Sequence, residues 1–102
     1  MNLKENFPIE NPGSVSTRIF FAKDSESSIL WHLCDAALGQ AHFGKVWYMA
    51  LHGAFLYPVV QCDTVLQCKI RLGVADQFCR NCLDEYELAK DVIERKKLLK
   101  FR

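Results

Sequence analysis

Apolar residues recur at helical spacing in three parts of the chain. In "DSESSILWHLCDAALGQ", residues 24–40, Ile29, Leu30, Leu33, Cys34, Ala37 and Leu38 fall at i, i+3, i+4 and onward, one stripe of an amphipathic helix. Asp24 or Ser25 supplies a cap whose short side-chain oxygen can accept an orphan backbone N–H. In "KVWYMALHGAFLY", residues 45–57, Val46, Trp47, Ala50, Leu51, Ala54 and Phe55 repeat the period, and Pro58 ends it. The rival for that segment is a hairpin turning at His52-Gly53. The third stripe runs over about 77–100 behind Asp76, through Phe78, Cys79, Cys82, Leu83, Tyr86, Ala89, Val92, Ile93, Lys96 and Leu99.

Two segments are less decided. "STRIFFAK", residues 16–23, is rich in β-formers and reads as a short strand or as a first helix. Over 59–73, Leu66, Cys68, Ile70 and Leu72 alternate with polar residues as a strand does. Cys62, Val65, Leu66, Lys69 and Leu72 also fit a helical face that stops at Gly73. The pattern predicts a mainly α fold: a small bundle of three to five helices closed by a long C-terminal helix. The alternative is α+β, with a short antiparallel meander over residues 45–72. Residues 1–13, with Pro8, Pro12 and Gly13, read as an N-terminal arm before one globular domain over 14–102. Core positions expected from the stripes are Leu30, Leu33, Trp47, Leu51, Phe78, Leu83 and Tyr86.

Composition refines this picture. The chain has 102 residues, half of them hydrophobic, with seven Phe, three Tyr and two Trp. That supply suffices for a core without disulfide or metal staples. It also points to an apolar surplus for an interface. On a helix, Phe43, Trp47, Tyr48, Phe55 and Tyr57 cannot share one side, so they are the expected interface of a self-associating protein. A net charge of +1 argues against a nonspecific nucleic-acid or membrane-surface binder. Charge is uneven, however. Lys90, Arg95, Lys96, Lys97, Lys100 and Arg102 stand against Asp91 and Glu94, so the tail is +4. Basic residues there complement a helix dipole, or could touch phosphates beside Phe101. The N-terminus shows no apolar signal-peptide core, and the stretch 46–60 is too short and broken to span a membrane. The expected setting is cytoplasmic, with five free thiols.

The candidate chemistry lies in "QCDTVLQCKIRLGVADQFCRNC", residues 61–82. Its four cysteines, Cys62, Cys68, Cys79 and Cys82, have the spacing C-x5-C-x10-C-x2-C. Zinc needs four donors converging as a tetrahedron, and C-x2-C supplies half of one. The other pair lacks that spacing. Cys79 and Cys82 also fall on an apolar stripe, where thiols pack as small hydrophobes. The sequence therefore favours packed thiols, with zinc on these four cysteines as the alternative. His32, His42 and His52 are ten residues apart. On a helix that leaves successive side chains about 80° apart, which makes no metal ladder. His32 and Asp35 at i, i+3 read as a surface contact. No phosphate loop, paired-carboxylate motif, H-E-x-x-H or G-x-S-x-G occurs. Three functions remain: a self-associating protein-interaction domain without catalysis; a zinc-stabilised module that meets nucleic acid through its tail; and a small-ligand pocket or minor enzyme built on Cys and His.

Overall fold

A computed structural model describes residues 19–88. The expected arm at 1–13, and the tail from Lys90 to Arg102 with its basic cluster, lie outside the described residues. The described chain is mostly strand: β1 (Ile19–Lys23), β2 (Leu30–His42), β3 (Lys45–Ala50), β4 (Phe55–Leu56), β5 (Val60–Cys62), α1 (Val65–Arg71) and β6 (Gln77–Phe78). A second helix, α2, occupies residues 80–88. The strands form one sheet in the order β4-β3-β2-β1-β5, antiparallel throughout, and β6 adds to β2 in parallel.

This overturns the helical bundle. The stripe read over 24–40 is the thirteen-residue strand β2. It contains no β-branched residue between Trp31 and His42, so local propensity favoured a helix. Pairing with β1 and β3 overrode it. The second stripe divides into β3, a turn and β4. Gly53 takes a φ of +98° in that turn, which is a three-residue loop, Leu51-His52-Gly53, between hydrogen-bonded Ala50 and Ala54. The reversal is where the hairpin rival put it, but one residue longer. The α+β alternative also fails in its helix at 24–40, and its meander over 45–72 is interrupted. After β4 the chain crosses to pair β5 with β1, and 65–71 is helical. Thr64 caps α1 by accepting from Gln67 N–H at 3.1 Å, while the Gln67 side chain accepts from Asp63 N–H at 2.9 Å. That reciprocal pair resembles a capping box. The third stripe holds only in part: Gln77 and Phe78 are strand, and helix begins at 80.

Register assigns the two faces of the sheet. Ala22 lies opposite His32, Phe21 opposite Leu33 and Phe20 opposite Cys34. Directly opposed residues share a face and neighbours along a strand alternate. His32, Cys34, Phe20 and Ala22 therefore occupy one face, and Trp31, Leu33, Phe21 and Lys23 the other. Tyr48 joins the first face, edge-on to Phe20 at 5.1 Å. Phe78 joins the second, edge-on to Phe21 at 5.9 Å. There Trp31 Nε1 donates to Asp76 at 2.9 Å, and Lys23 Nζ sits 4.9 Å above the Trp31 ring. Of the expected core, Leu33, Phe78 and Tyr86 are buried, and Leu51 and Leu83 pack against it. Leu30 is exposed and Trp47 half-exposed, because Leu30 begins β2 and Trp47 lies in the outer half of the β2–β3 hairpin, where the strands run past the core.

Candidate metal centre

The backbone edge of β2 explains how distant residues meet. β3 leaves β2 after Ala50, but Leu51 N–H still donates to the Leu33 carbonyl at 2.8 Å. Two residues back along the same strand, Cys79 N–H donates to the Trp31 carbonyl at 2.7 Å. The turn after β3 and the segment after β6 are thus fixed on either side of His32. Phe78 points to the Trp31 face, so Cys79 points to the His32 face. α2 begins at residue 80, and its first turn brings Cys82 to that same face. Cys82 Sγ lies 3.7 Å from the Leu33 carbonyl, to which it donates.

Four side chains converge as a result: His32, His52, Cys79 and Cys82. One ligand atom from each lies within 4.8 Å of the others. His52 Nδ1 is 3.0 Å from Cys82 Sγ and 4.0 Å from Cys79 Sγ, and His32 Nδ1 is 3.8 Å from Cys82 Sγ. A tetrahedron with Zn–S near 2.3 Å and Zn–N near 2.0–2.1 Å requires N···S separations of about 3.5–3.6 Å. The three observed separations straddle that value. The two imidazole rings lie 5.3 Å apart, tilted by 32°. The thiols are buried and the imidazoles half-buried, so the donors close over a site at the margin of the core.

Burial sets the protonation of these groups. Removal from water pushes the Cys82 thiol up to about 11, against hydrogen bonds from its surroundings, and Cys79 beside it pushes the same way. Burial also lowers His32, helped by the neighbouring His52 and opposed by Asp24. Without metal, burial favours the protonated thiol at Cys82 and the neutral imidazole at His32. A divalent cation would displace the thiol protons and leave two thiolates to balance its charge.

The other two cysteines of the sequence motif go elsewhere. Cys62 lies opposite Phe21 in the β1–β5 pairing, on the face away from His32. Cys68, on α1, is buried near it. Burial, then Cys62 and Asp76, push the Cys68 thiol up to about 12, against Lys23. The structure therefore splits the four cysteines. Cys79 and Cys82 stand with two histidines, and Cys62 and Cys68 are packed thiols. Cys34 lies on the His32 face, where burial and then Cys82 raise its thiol to about 12. His42 lies at the far end of β2, away from the cluster.

The residues missed by sequence reasoning are His32 and His52. A ten-residue spacing excludes a shared site only on a helix, and His32 lies on a strand with His52 in the turn after β3. A hairpin between them is the signal that would have found them.

The aromatic set is also divided. Tyr48 faces the core at Phe20. Trp47 and Phe55 turn to the opposite side, where Trp47 meets Tyr57 at 5.9 Å. Phe43 sits at the tip of the β2–β3 hairpin, 97% exposed. The five aromatics expected on one helix instead lie on and around two strands, which divide them between the two faces of the sheet. Among the described residues no helix is long and apolar enough to cross a membrane. Compared with known proteins, the chain matches no family model, no curated protein and no solved structure.

Proposed function

We propose that the protein is a small zinc-stabilised β-sheet module, in which His32, His52, Cys79 and Cys82 hold one Zn2+ as a structural ion. The observation that carries this reading is the convergence of two imidazoles and two thiols from four separate segments, each atom within 4.8 Å of the rest. Two sulfur and two nitrogen donors are the set zinc takes in closed structural sites. The ion would tie the turn after β3 and the start of α2 to β2, elements otherwise joined there by few hydrogen bonds. Four protein donors leave no open position, so the module would bind rather than catalyse.

Elemental analysis of protein purified without chelator tests this. About one zinc per chain is expected, with a melting temperature that falls in EDTA. Cobalt replacing zinc should show the absorption of a tetrahedral S2N2 site. A Cys62→Ala, Cys68→Ala double variant should keep the metal. Metal lost from that variant, or absent from the native chain, would remove the proposal.

A second reading follows from the His52–Cys82 contact of 3.0 Å, which is the spacing of a nucleophilic thiol and its base. An activated cysteine needs a depressed pKa. Burial raises that of Cys82 instead, so the structural reading is the better supported.

A further inference from the structure

The β2–β3–β4 end of the sheet carries a second feature, on the face opposite the metal cluster. Gln40 pairs with Trp47 and His42 with Lys45, and Met49 pairs with Phe55. These residues share one face, with Tyr57 beyond β4 meeting Trp47. A concavity of about 390 Å3 lies here, lined by Gln40, His42, Phe43, Trp47 and Phe55. Its volume is in the ~300–1,000 Å3 range of ligand sites.

Folding does not explain Phe43. The two-residue turn Phe43-Gly44 has φ of +52° and +76°, the positive values a type I′ turn requires. Asn or Gly suits the first position, whereas Phe there is strained. At 97% exposure the ring buries almost nothing in return. An exposed aromatic held in a strained backbone beside an aromatic concavity is the signature of a contact residue.

Charge selects the partner. Between Asp35 and Asp63 the sequence has no acidic residue. Lys45 sits at the tip with its Nζ 4.8 Å over the Tyr57 ring. A second copy would bring another acid-free face and no counter-charge for Lys45. An anionic chain bearing flat aromatic groups matches every element. Its rings would stack on Phe43, Trp47 and Phe55. Gln40 and His42 offer hydrogen bonds to a base edge, and Lys45 meets a phosphate. We propose that this face binds single-stranded nucleic acid by base stacking, independently of the metal centre.

The test uses the full chain as purified and labelled oligo-U and oligo-dT of about 12 nucleotides, with a mixed duplex for comparison. Fluorescence anisotropy should rise with both single strands and not with the duplex. A preference between the two strands would tell RNA from DNA. Trp47 emission should be quenched, since the other tryptophan, Trp31, is fully buried. Phe43→Asn, which suits the turn and should fold, and Phe55→Ala should each weaken binding between about five- and a hundredfold. One main cation predicts a shallow salt dependence, with a log–log slope of about −0.7 to −1.5.

Several results would overturn the proposal. One is the absence of single-strand binding at 100 µM probe. Another is equal affinity for duplex. A third is binding that survives Phe43→Asn and Phe55→Ala but is lost on replacing Lys96, Lys97, Lys100 and Arg102 by Gln. Self-association in sedimentation that Phe43→Asn abolishes would assign the face to a second copy instead.

Discussion

His52 Nδ1 and Cys82 Sγ lie 3.0 Å apart although thirty residues separate them in sequence. The contact depends on the edge of β2, which fixes the turn holding His52 through Leu33 and the segment holding Cys79 through Trp31. The metal reading predicts that His52→Gln and Cys82→Ser each lower zinc content well below one per chain. Both should also lose the stabilisation that EDTA removes from the native protein. A native melting curve that is blind to EDTA, in protein shown to contain no zinc, would leave these four side chains as packing partners.

The pH dependence has a definite sign. Cys34 and Cys68 are pushed by burial up to about 12, and Cys82 to about 11, from an ordinary 9.0. Their folded pKa values exceed their unfolded ones. The stability they contribute is complete below about pH 9 and is lost as pH rises toward 11–12, because the unfolded chain releases protons that the folded chain keeps. Metal-free protein should therefore lose stability steadily above pH 9 in urea titrations. Zinc binding should run the other way and tighten at least about tenfold per pH unit between 6.5 and 7.5, since Cys82 must give up its proton. A zinc affinity independent of pH would exclude that thiol as a ligand.

Leu33 and Leu30 separate the strand from the helix once expected there. A helix would bury both on one stripe. In β2 Leu33 is 0% exposed and Leu30 is 36% exposed. Leu33→Ala should cost about 2–5 kcal/mol, and Leu30→Ala about 1 kcal/mol or less. Equal losses in chemical denaturation would contradict the register of β2 on β1.

The same strand shows what the sequence could and could not reveal. Leu30, Leu33, Cys34, Ala37 and Leu38 do fit a 3.6-residue period, but Trp31 and Leu33 on either side of the polar His32 also fit a two-residue one. Nothing local separates the two, and partner strands decide. The C-x2-C of Cys79 and Cys82 was legible as half a metal site because its spacing is short-range. His32 and His52 were not, since their approach depends on a hairpin and on a parallel pairing of β2 with β6. The parallel pairing is long-range and lies in no local window, and the hairpin turns at Phe43-Gly44, where Phe does not mark a type I′ turn as Asn or Gly would.

Asp76 tests the other face. It accepts from Trp31 Nε1 at 2.9 Å and from Gly73 N–H at 2.9 Å, and Lys23 Nζ lies 3.9 Å away. Burial alone would raise its pKa. The Gly73 and Trp31 hydrogen bonds and the Lys23 charge outweigh that and hold it below 3.8. Its stabilisation is therefore present above the ordinary carboxylate range and is lost as pH falls below about 4. Asp76→Ala strands the buried Trp31 indole N–H, which costs about 1–3 kcal/mol, and frees the Gly73 N–H to water. It should shift Trp31 emission as the indole loses its partner. An unshifted spectrum with unchanged stability would show the network to be idle.

Phe43→Asn should stabilise the protein. The native residue occupies φ +52°, a left-handed conformation that costs an ordinary L-residue about 1–2 kcal/mol and that Asn visits readily. Little packing opposes the exchange, because the ring is 97% exposed. The expected gain is up to about 1 kcal/mol, read as a higher urea midpoint at unchanged slope. A stability gain at a residue whose removal weakens binding is the pattern of a side chain kept for contact rather than for folding. If Phe43→Asn instead destabilises by more than about 1 kcal/mol, the ring has a folding role in this chain and the argument from its strain fails.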